Sequence, residues 1–553
     1  MKKRMRTEQK SNVKNSIRRL AFVAISVLIQ LVWILEQFIR LNRYSTAISL
    51  ISSLLALLLV LRIYGKQQNS AFKMSWTVLI LVFPVMGLCF YALAANKDAT
   101  KPMRRRYEAI DGKLFGRLRQ DPAVMHHLEQ TDFAAANQCR YIYNYGKFPV
   151  YENTEVEFYS EAAEGFEEQL RQMREAKEFI FLEYHAIEEA EAFGRMRDVL
   201  AERAATGVEV RILYDDVGSI GFIGLDFIHR MEALGIACRV FNPVLPVIKV
   251  FMNNRDHRKI TVIDGKVGFT GGYNLADEYF NITHPYGRWK DTGVKLTGGA
   301  VQTLTALFLE MWNASVRGQQ EESGWEKYLE AAGAGRLPAA AQFSDEKVSA
   351  ARERADEAAV AQDEQKLDAL GNGFVQPYAD SPLDDEYMGE NVYLNLIKSA
   401  KHRFYAATPY LIISDEMTRE LGLAAKRGVD VRIITPGIPD KKLIYKVTRS
   451  YYAGLAMQGV RIYEYTPGFI HAKQTFCDGV AATVGTINMD YRSLYHHFEN
   501  GVFLYGCPAV EQIGEDFAQL FPVCREVTEQ YRSGRSTVLR IAQCVLRLFA
   551  PLL

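Results

Sequence analysis

The stretch His257-Arg258-Lys259-Ile260-Thr261-Val262-Ile263-Asp264-Gly265, followed by Gly271-Gly272-Tyr273-Asn274, decides the fold of this chain. The pattern returns at residue 471, and in both copies a His, a Lys, an Asp and an Asn lie at offsets 0, 2, 7 and 17. The two sets are His257, Lys259, Asp264 and Asn274, and His471, Lys473, Asp478 and Asn488. One His-x-Lys would be a common coincidence in a long chain, whereas two copies with the same internal spacing indicate a duplication.

The spacing within each copy predicts a strand, a turn and a second strand. Residues two apart on a strand share a face, so the His and the Lys of each copy project together. Asp264-Gly265 and Asp478-Gly479 are dipeptides that fit a tight hairpin turn. Each Asp therefore has two interpretations, a catalytic carboxylate or a turn residue that bonds local backbone.

The elements predicted around the two motifs repeat in the same order. A buried strand, a helix and another strand are expected at residues 178–184, 193–205 and 208–214, and again at 404–410, 416–427 and 428–434. Strand and helix alternation in duplicate predicts an α/β fold with two sandwich halves.

The duplicated motif resembles that of the phospholipase D superfamily, whose mark is two copies of His-x-Lys-x4-Asp. Other features are most similar to its bacterial cardiolipin synthase branch. They are Asn253-Asn254-Arg255-Asp256-His257, Gly271-Gly272-Tyr273-Asn274, Trp289-Lys290-Asp291-Thr292, Thr408-Pro409-Tyr410 and the closing Arg547-Leu548-Phe549-Ala550-Pro551-Leu552-Leu553. Two positions depart from the family pattern: Gly293 stands where a His often follows the Trp-x-Asp-Thr run, and Thr486 replaces the more usual Ser.

The resemblance implies that the halves pack face to face around one active site. Phosphodiester cleavage needs cations, a nucleophile and an acid, which two lysines and two histidines supply, with asparagines as neutral donors. The family suggests His257 as the nucleophile and His471 as the acid, although the residues alone allow the reverse. No metal or cofactor is expected. Glu183 and Glu499 are further candidates for a site role, the alternative being structural hydrogen bonding.

With this resemblance, the expected reaction is phosphatidyl transfer between two phosphatidylglycerol molecules, which gives cardiolipin and glycerol through a phosphatidyl-histidine. The alternatives are a membrane-bound phospholipase D hydrolase that releases phosphatidic acid, a nuclease, or a non-enzymatic membrane scaffold. A scaffold would be free to lose a His or a Lys, yet all four are present.

Composition narrows the class of protein. A chain of 553 residues suggests two or three domains. The formal net charge of +1 argues against a nucleic-acid partner, since such proteins usually carry an excess of basic residues. Seven cysteines without disulfide or metal-ligand spacing indicate reduced thiols in the cytoplasm.

Three apolar stretches, at residues 20–39, 45–61 and 74–95, predict an N-terminal membrane region at 1–100. Basic runs precede the first and follow the third, and basic flanks prefer the cytoplasm. We therefore expect the second and third stretches to form a membrane-spanning hairpin and the first to lie on the inner surface. This places both catalytic halves on the cytoplasmic side of a bacterial plasma membrane, with anionic phospholipid as partner. Three spans would place them outside.

The remaining boundaries follow from composition. We expect a basic lead-in at 101–150, the first half at 151–318, an Ala/Glu-rich connection at 319–372 and the second half at 373–532. Residues 533–553 predict a basic amphipathic helix that anchors at a membrane surface, or alternatively a core helix.

Overall fold

The computed structural model describes residues 46–66, 69–94, 101–244, 253–315, 324–333 and 372–532, isolated positions between 21 and 36, and residues 546–548 and 550. Two α/β halves built around two large sheets dominate it. The α-helices are α1 (Thr46–Tyr64), α2 (Ser70–Val82), α3 (Pro84–Ala94), α4 (Lys101–Leu114), α5 (Pro122–Thr131), α6 (Phe133–Gly146), α7 (Ala162–Glu175), α8 (Glu191–Ala205), α9 (Asp216–Ser219), α10 (Phe227–Glu232), α11 (Val301–Ala314), α12 (Glu326–Gly333), α13 (Met388–Ser399), α14 (Asp415–Lys426), α15 (Lys442–Ala456), α16 (Tyr491–Tyr495), α17 (Pro508–Leu520) and α18 (Thr528–Arg532).

The strands of the first half surround the first motif. They are β1 (Thr154–Tyr159), β2 (Phe179–Tyr184), β3 (Glu209–Asp215), β4 (Ala237–Phe241), β5 (Arg255–Asp256), β6 (Lys259–Ile263), β7 (Val267–Gly271), β8 (Arg288–Lys290) and β9 (Gly293–Gly298). Seven of them form one sheet in the order β1-β9-β7-β6-β2-β3-β4. Strands β2, β3 and β4 are parallel, and helix α8 makes the crossover from β2 to β3.

The second half repeats this arrangement. Its strands are β10 (Phe374–Asp380), β11 (Arg403–Ala407), β12 (Leu411–Ile412), β13 (Asp430–Pro436), β14 (Arg461–Tyr465), β15 (Gly468–Ile470), β16 (Gln474–Cys477), β17 (Ala481–Gly485), β18 (Met489–Asp490), β19 (His497–Tyr505) and β20 (Cys524–Glu526). The sheet order is β10-β19-β17-β16-β11-β13-β14-β20. Apart from the added β20, each strand has its counterpart at the same place in the first sheet, which confirms the duplicated α/β fold.

Both motif hairpins have the predicted geometry. Strands β6 and β7 are antiparallel, as are β16 and β17. Asp264 and Gly265 have φ of 52° and 64°, and Asp478 and Gly479 have φ of 55° and 82°. Two successive positive φ angles define the turn that matches the twist of a two-residue hairpin, and Asp-Gly adopts it at low cost.

Two short strand pairs join the halves next to the motif histidines. Strand β5, which immediately precedes His257, pairs in parallel with the start of β19. Strand β15, which immediately precedes His471, pairs in parallel with β8 of the first half. Each motif histidine therefore directly follows a strand whose backbone is hydrogen-bonded to a strand of the other half.

Helix α11 connects the cores of the two halves. Phe308 on this helix stacks on Phe181 of β2 at 4.6 Å between ring centroids, and the same helix contacts β10 of the second half. The buried ion pair between Arg258 and Glu310, at 2.8 Å, fixes the same helix to the residue after His257. Because removing one partner of a buried pair is strongly destabilising, this contact ties the motif to the core.

The structure does not support the prediction of N-terminal membrane helices. Within the described ranges, none of the helices is both long and apolar enough to cross a membrane. The third apolar stretch is divided into α2 and α3, of 13 and 11 residues, because Pro84 lacks an N–H and its ring clashes with the preceding turn. Each piece is at most about 20 Å long, against a hydrocarbon thickness of about 30 Å. Multiple membrane passes are therefore unsupported.

Other sequence predictions fall largely outside the described residues. Most of residues 20–39, of the connection at 319–372 and of the C-terminal segment at 533–553 lies there, apart from α12 and a few positions. Of the C-terminal segment, Arg547 lies over the ring of Tyr451 at 4.3 Å and Ala550 is buried.

Candidate active site

His257 is held by groups from the second half of the chain. Its backbone N–H donates to the carbonyl of Phe498 at 2.9 Å, and its Nδ1 lies 2.9 Å from the carboxylate of Glu499. Glu499 is fully buried and also accepts hydrogen bonds from the hydroxyls of Ser493 and Thr486. Thr486 thus keeps the hydroxyl that a serine would supply. Since Glu499 engages Nδ1, the Nε2 atom of His257 is the nitrogen available for chemistry.

His471 is held in the same way by the first half. Its backbone N–H donates to the carbonyl of Lys290 at 2.7 Å, and its Nδ1 lies 2.6 Å from Asp291 Oδ2. The other oxygen of Asp291 accepts from the N–H of Thr292 at 2.9 Å. Gly272 leaves room for this carboxylate, because a Cβ there would lie 2.0 Å from Asp291 Oδ1.

Asp291 and Glu499 occupy equivalent places in the duplicated fold. Gly293 pairs with Gly271 and Gly501 with Gly485, and each carboxylate lies two residues before the pairing glycine. Each half therefore supplies the carboxylate that orients the histidine of the other half, and neither half is complete alone. In the sequence, Asp291 stands out only as part of the Trp-Lys-Asp-Thr motif. Its offset from His257 is 34 residues while that of Glu499 from His471 is 28, so motif spacing did not reveal the equivalence.

The two motif lysines are buried beside the histidines. Lys473 Nζ lies 2.6 Å from His471 Nδ1 and 3.0 Å from Nε2, and Lys259 Nζ donates to the carbonyl of His257. Burial lowers the pKa of Lys473 to about 7 and that of Lys259 to about 8, against nearby carboxylates that raise both pKa values. A bound anion would therefore stabilise the charged form of both lysines.

Burial also lowers the pKa of both histidines well below the usual value, and the charges of Lys259 and Lys473 lower it further. Each imidazole is neutral at neutral pH in the absence of substrate. A bound phosphodiester anion would offset the lysine charges and so favour protonation of one imidazole. The charges of Lys473 and of protonated His471 also lower the pKa of His257, so groups from both halves share one electrostatic environment.

The two asparagines are buried near the histidines but differ in their contacts. Asn274 Nδ2 donates to the hydroxyl of Tyr279 at 2.8 Å, and its Oδ1 accepts from the N–H of Ala186 at 3.2 Å. Asn488 is 5% exposed, and its Oδ1 has no hydrogen-bond partner in the part of the chain that the structure describes. Both Nδ2 and Oδ1 of Asn274 are thus hydrogen-bonded within the protein, whereas Oδ1 of Asn488 can accept a hydrogen bond from a ligand.

The structure does not bring Asp264 and Asp478 together with the histidines. Each lies at the far end of the motif strand, about 20 Å of extended chain from its histidine. Asp264 accepts from the backbone N–H groups of residues 177, 178 and 179 at 2.8–2.9 Å. Asp478 accepts in the same way from residues 401, 402 and 403 at 2.7–2.8 Å. This corrects their placement in the catalytic set: both carboxylates fix the start of the neighbouring strand, β2 or β11.

Of the two glutamates considered, only Glu499 contacts a motif histidine. Glu183 is fully buried on β2, and burial together with the negative charge of Asp256 raises its pKa well above the usual range. Burial therefore favours the protonated form of Glu183.

The two histidines differ in the rings around them. His257 lies beside two other imidazoles, with ring centroids 4.8 Å from His185 and 5.4 Å from His497. His471 lies among aromatic side chains. Its ring centroid is 5.2 Å from Tyr279, 5.3 Å from Trp289 and 5.9 Å from Phe469.

Comparisons with known proteins match both halves of the chain to one family. Residues 170–312 and 393–521 match the family described as "Cardiolipin synthase, PLD-like domain". The chain is 37% identical to an uncharacterized protein of Streptococcus mutans over 89% of this chain and 99% of that one. It is 30% identical to the cardiolipin synthase of Geobacillus kaustophilus, over 91% and 93% of the two chains. The crystal structure of phosphatidylserine synthase from Haemophilus influenzae shares the fold, with a TM-score of 0.50, 14% identity and coverage of 72% of this chain and 93% of that one.

The fold and the paired His-Lys motifs are those of a phosphatidyltransferase of the phospholipase D superfamily. Within it, the chain belongs to the cardiolipin synthase family.

Proposed function

We propose that the protein transfers a phosphatidyl group from one phosphatidylglycerol to the hydroxyl of another, which yields cardiolipin and glycerol. The observation that carries this proposal is the reciprocal assembly of two histidine–carboxylate pairs, His257 with Glu499 and His471 with Asp291, beside two buried lysines. The likeness to cardiolipin synthases supports the choice of lipid.

In the first step, His257 Nε2 attacks the phosphorus. A phosphorus–nitrogen bond forms, and the bond from phosphorus to the headgroup glycerol oxygen breaks. Protonated His471 donates its proton to that oxygen, so neutral glycerol leaves. The Glu499 carboxylate stabilises the positive charge that develops on the His257 ring, because it accepts from Nδ1.

In the second step, neutral His471 takes the proton from the hydroxyl of an incoming phosphatidylglycerol. The resulting oxygen attacks phosphorus, the phosphorus–nitrogen bond breaks, and His257 leaves as a neutral imidazole. Asp291 holds His471 in position for both proton transfers through its Nδ1. The two steps are mirror images, which explains why two histidines are needed.

Lys259 and Lys473 neutralise the phosphate oxygens in both steps. Buried ammonium groups act on charge in a low-dielectric site, where each interaction is stronger than in water. The free Oδ1 of Asn488 can orient the hydroxyl of an acceptor, and Asn274 acts through Tyr279. The scheme uses no metal or cofactor.

The proposal places the enzyme at a membrane surface. Helix α1 carries large apolar side chains that are about half exposed or more, among them Leu50, Leu54, Leu58 and Leu61 at 53–68% exposure. Contiguous exposed apolar surface is characteristic of contact with lipid or protein. Both substrates and the product are lipids, so contact with the bilayer would let them exchange without crossing water.

Incubation of the purified full-length protein with vesicles of labelled phosphatidylglycerol tests the proposal. Formation of cardiolipin and glycerol in equal amounts is expected. Phosphatidic acid as the main product would replace the proposal with a hydrolase, since water would then be the acceptor. If the purified protein is folded, as judged by a cooperative thermal transition, and shows no turnover, the proposal is rejected and a non-enzymatic role remains.

A further inference from the structure

His497 is a buried histidine that the proposed reaction does not use. It begins β19, two residues before Glu499, so both side chains lie on the same face of the strand. It is 9% exposed, and neither ring nitrogen makes a hydrogen bond within the described ranges. Buried polar groups are nearly always paired, so two unused nitrogens on one ring call for an explanation.

The unpaired ring faces the His257–Glu499 pair. Its Nδ1 lies 3.6 Å from Glu499, beyond hydrogen-bond distance, while His257 Nδ1 lies 2.9 Å from the same carboxylate. One ligand atom from each of the three residues lies within 4.8 Å of the others. Ligand atoms in a tetrahedral zinc site are about 3.3 Å apart, given bonds of about 2.0–2.1 Å. The two nitrogen–oxygen separations, 2.9 Å from His257 and 3.6 Å from His497, bracket that value.

We propose that His257, His497 and Glu499 form a site for a divalent transition-metal ion of the zinc type, and that the ion inhibits the enzyme. Two imidazoles and one carboxylate are ligands that zinc prefers. The ion would replace the proton shared by His257 Nδ1 and Glu499. It would withdraw electron density from the ring and so weaken Nε2 as a nucleophile. The inhibition, unlike the binding, rests on the proposed function.

The duplicated fold provides an internal contrast. The position equivalent to His497 in the other half is Trp289, two residues before Asp291. His471 and Asp291 therefore receive no third ligand from this position. Of the two motif histidines, only His257 takes part in the proposed metal site. The tryptophan also shows that the duplicated fold accepts an aromatic ring there, which makes His497→Phe a suitable variant.

Direct metal binding tests the site without any assay of activity. After treatment with a chelator, the full-length protein should bind one equivalent of Zn²⁺, and X-ray absorption should show two imidazole nitrogens on the metal. His497→Phe should weaken binding at least ten-fold. His185→Phe is the matched control. The His185 ring also lies beside His257, but its Nδ1 is 2.7 Å from the carbonyl of Asp256. The affinity of His185→Phe for Zn²⁺ should therefore change less than two-fold.

Each other result overturns the site. Those results are no stoichiometric binding, equal affinity in wild type and His497→Phe, equal losses in both variants, or a zinc spectrum without imidazole. If His497→Phe does not fold, the wild-type spectrum decides. Inhibition is tested separately: Zn²⁺ should reduce phosphatidyl transfer by the wild type at the concentration at which it binds. Binding without inhibition would reject the inhibitory role and leave the site in place.

Discussion

The two halves of the molecule share one strand order but surround their histidines differently. His257 stands among imidazoles, whereas His471 stands among the rings of Tyr279, Trp289 and Phe469. What the halves have in common is the exchange of carboxylates, with Glu499 serving His257 and Asp291 serving His471. Both halves therefore keep the carboxylate that contacts Nδ1 of the opposite histidine, while the rings around the two histidines differ. This difference fits the separate roles that we propose for the two histidines.

Removal of the motif histidines should reduce activity more than any other substitution. His257→Ala, His471→Ala and the double variant should each lose about 10³-fold or more in kcat, to a similar floor, because residues that act as a unit do not contribute additively. Steady-state cardiolipin synthesis measures this. Independent, multiplying losses in the double variant would contradict the single shared site.

The exchanged carboxylates should come next. Asp291→Asn and Glu499→Gln should each lower kcat by about 10²- to 10³-fold with little change in KM, because an amide cannot stabilise a charged imidazole or hold the correct tautomer. Glu183→Gln is the control, since Glu183 contacts neither motif histidine and burial raises its pKa well above the usual range, which favours its uncharged form. Near wild-type activity of either the Asp291 or the Glu499 variant would contradict the claim that each half supplies the carboxylate that orients the histidine of the other.

Loss of one lysine should have a smaller effect. Lys259→Ala and Lys473→Ala each remove a hydrogen bond to a charged group, worth about 1.5–3 kcal/mol, or about 10- to 150-fold in kcat/KM.

The lysines also set a pH dependence that distinguishes the halves. Since the pKa of Lys473 is about 7 and that of Lys259 about 8, kcat/KM should fall as the pH rises through these values and both side chains lose charge. In Lys473→Arg the guanidinium stays charged, so the fall near pH 7 should disappear and the one near pH 8 should remain. An unchanged profile would show that Lys473 does not titrate in this range.

The smallest effect on catalysis is expected at the turn aspartates. Asp264→Asn and Asp478→Asn should each lower the free energy of unfolding by about 1–3 kcal/mol, because an amide replaces a carboxylate that accepts three backbone N–H bonds. Thermal unfolding measures this, with kcat of the folded fraction as the second readout. A loss of kcat as large as that of the histidine variants would return these residues to the catalytic set.

Features with local causes could be predicted from the sequence. The Asp-Gly dipeptides fixed both hairpins, and alternation of apolar strands with helices predicted both sheets, because each signal lies within a few residues of the structure it produces. Length and hydropathy predict the third apolar stretch as one span, but the structure divides it at Pro84, which lacks the N–H needed to continue the helix.

Contacts between the halves could not be predicted in the same way. Asp291 reaches His471 across 180 residues and Glu499 reaches His257 across 242, and only strand pairing sets the distance between them. The approach of His497 to the His257–Glu499 pair depends on the same pairing of β5 with β19. The glycines at 271, 293, 485 and 501 are the sequence signal for the equivalence of the two carboxylates, since each carboxylate lies two residues before Gly293 or Gly501.

The most direct test of the account is to locate the covalent intermediate. In His471→Ala, a phosphatidyl donor with a good leaving group needs no acid for the first step, so His257 should accumulate labelled phosphatidyl group after rapid quenching. Acid should release this label, and peptide mapping should place it on His257. The His257→Ala variant should carry none. Label on His471 in that variant would reverse the roles of the halves, and absence of label from both would contradict covalent catalysis itself.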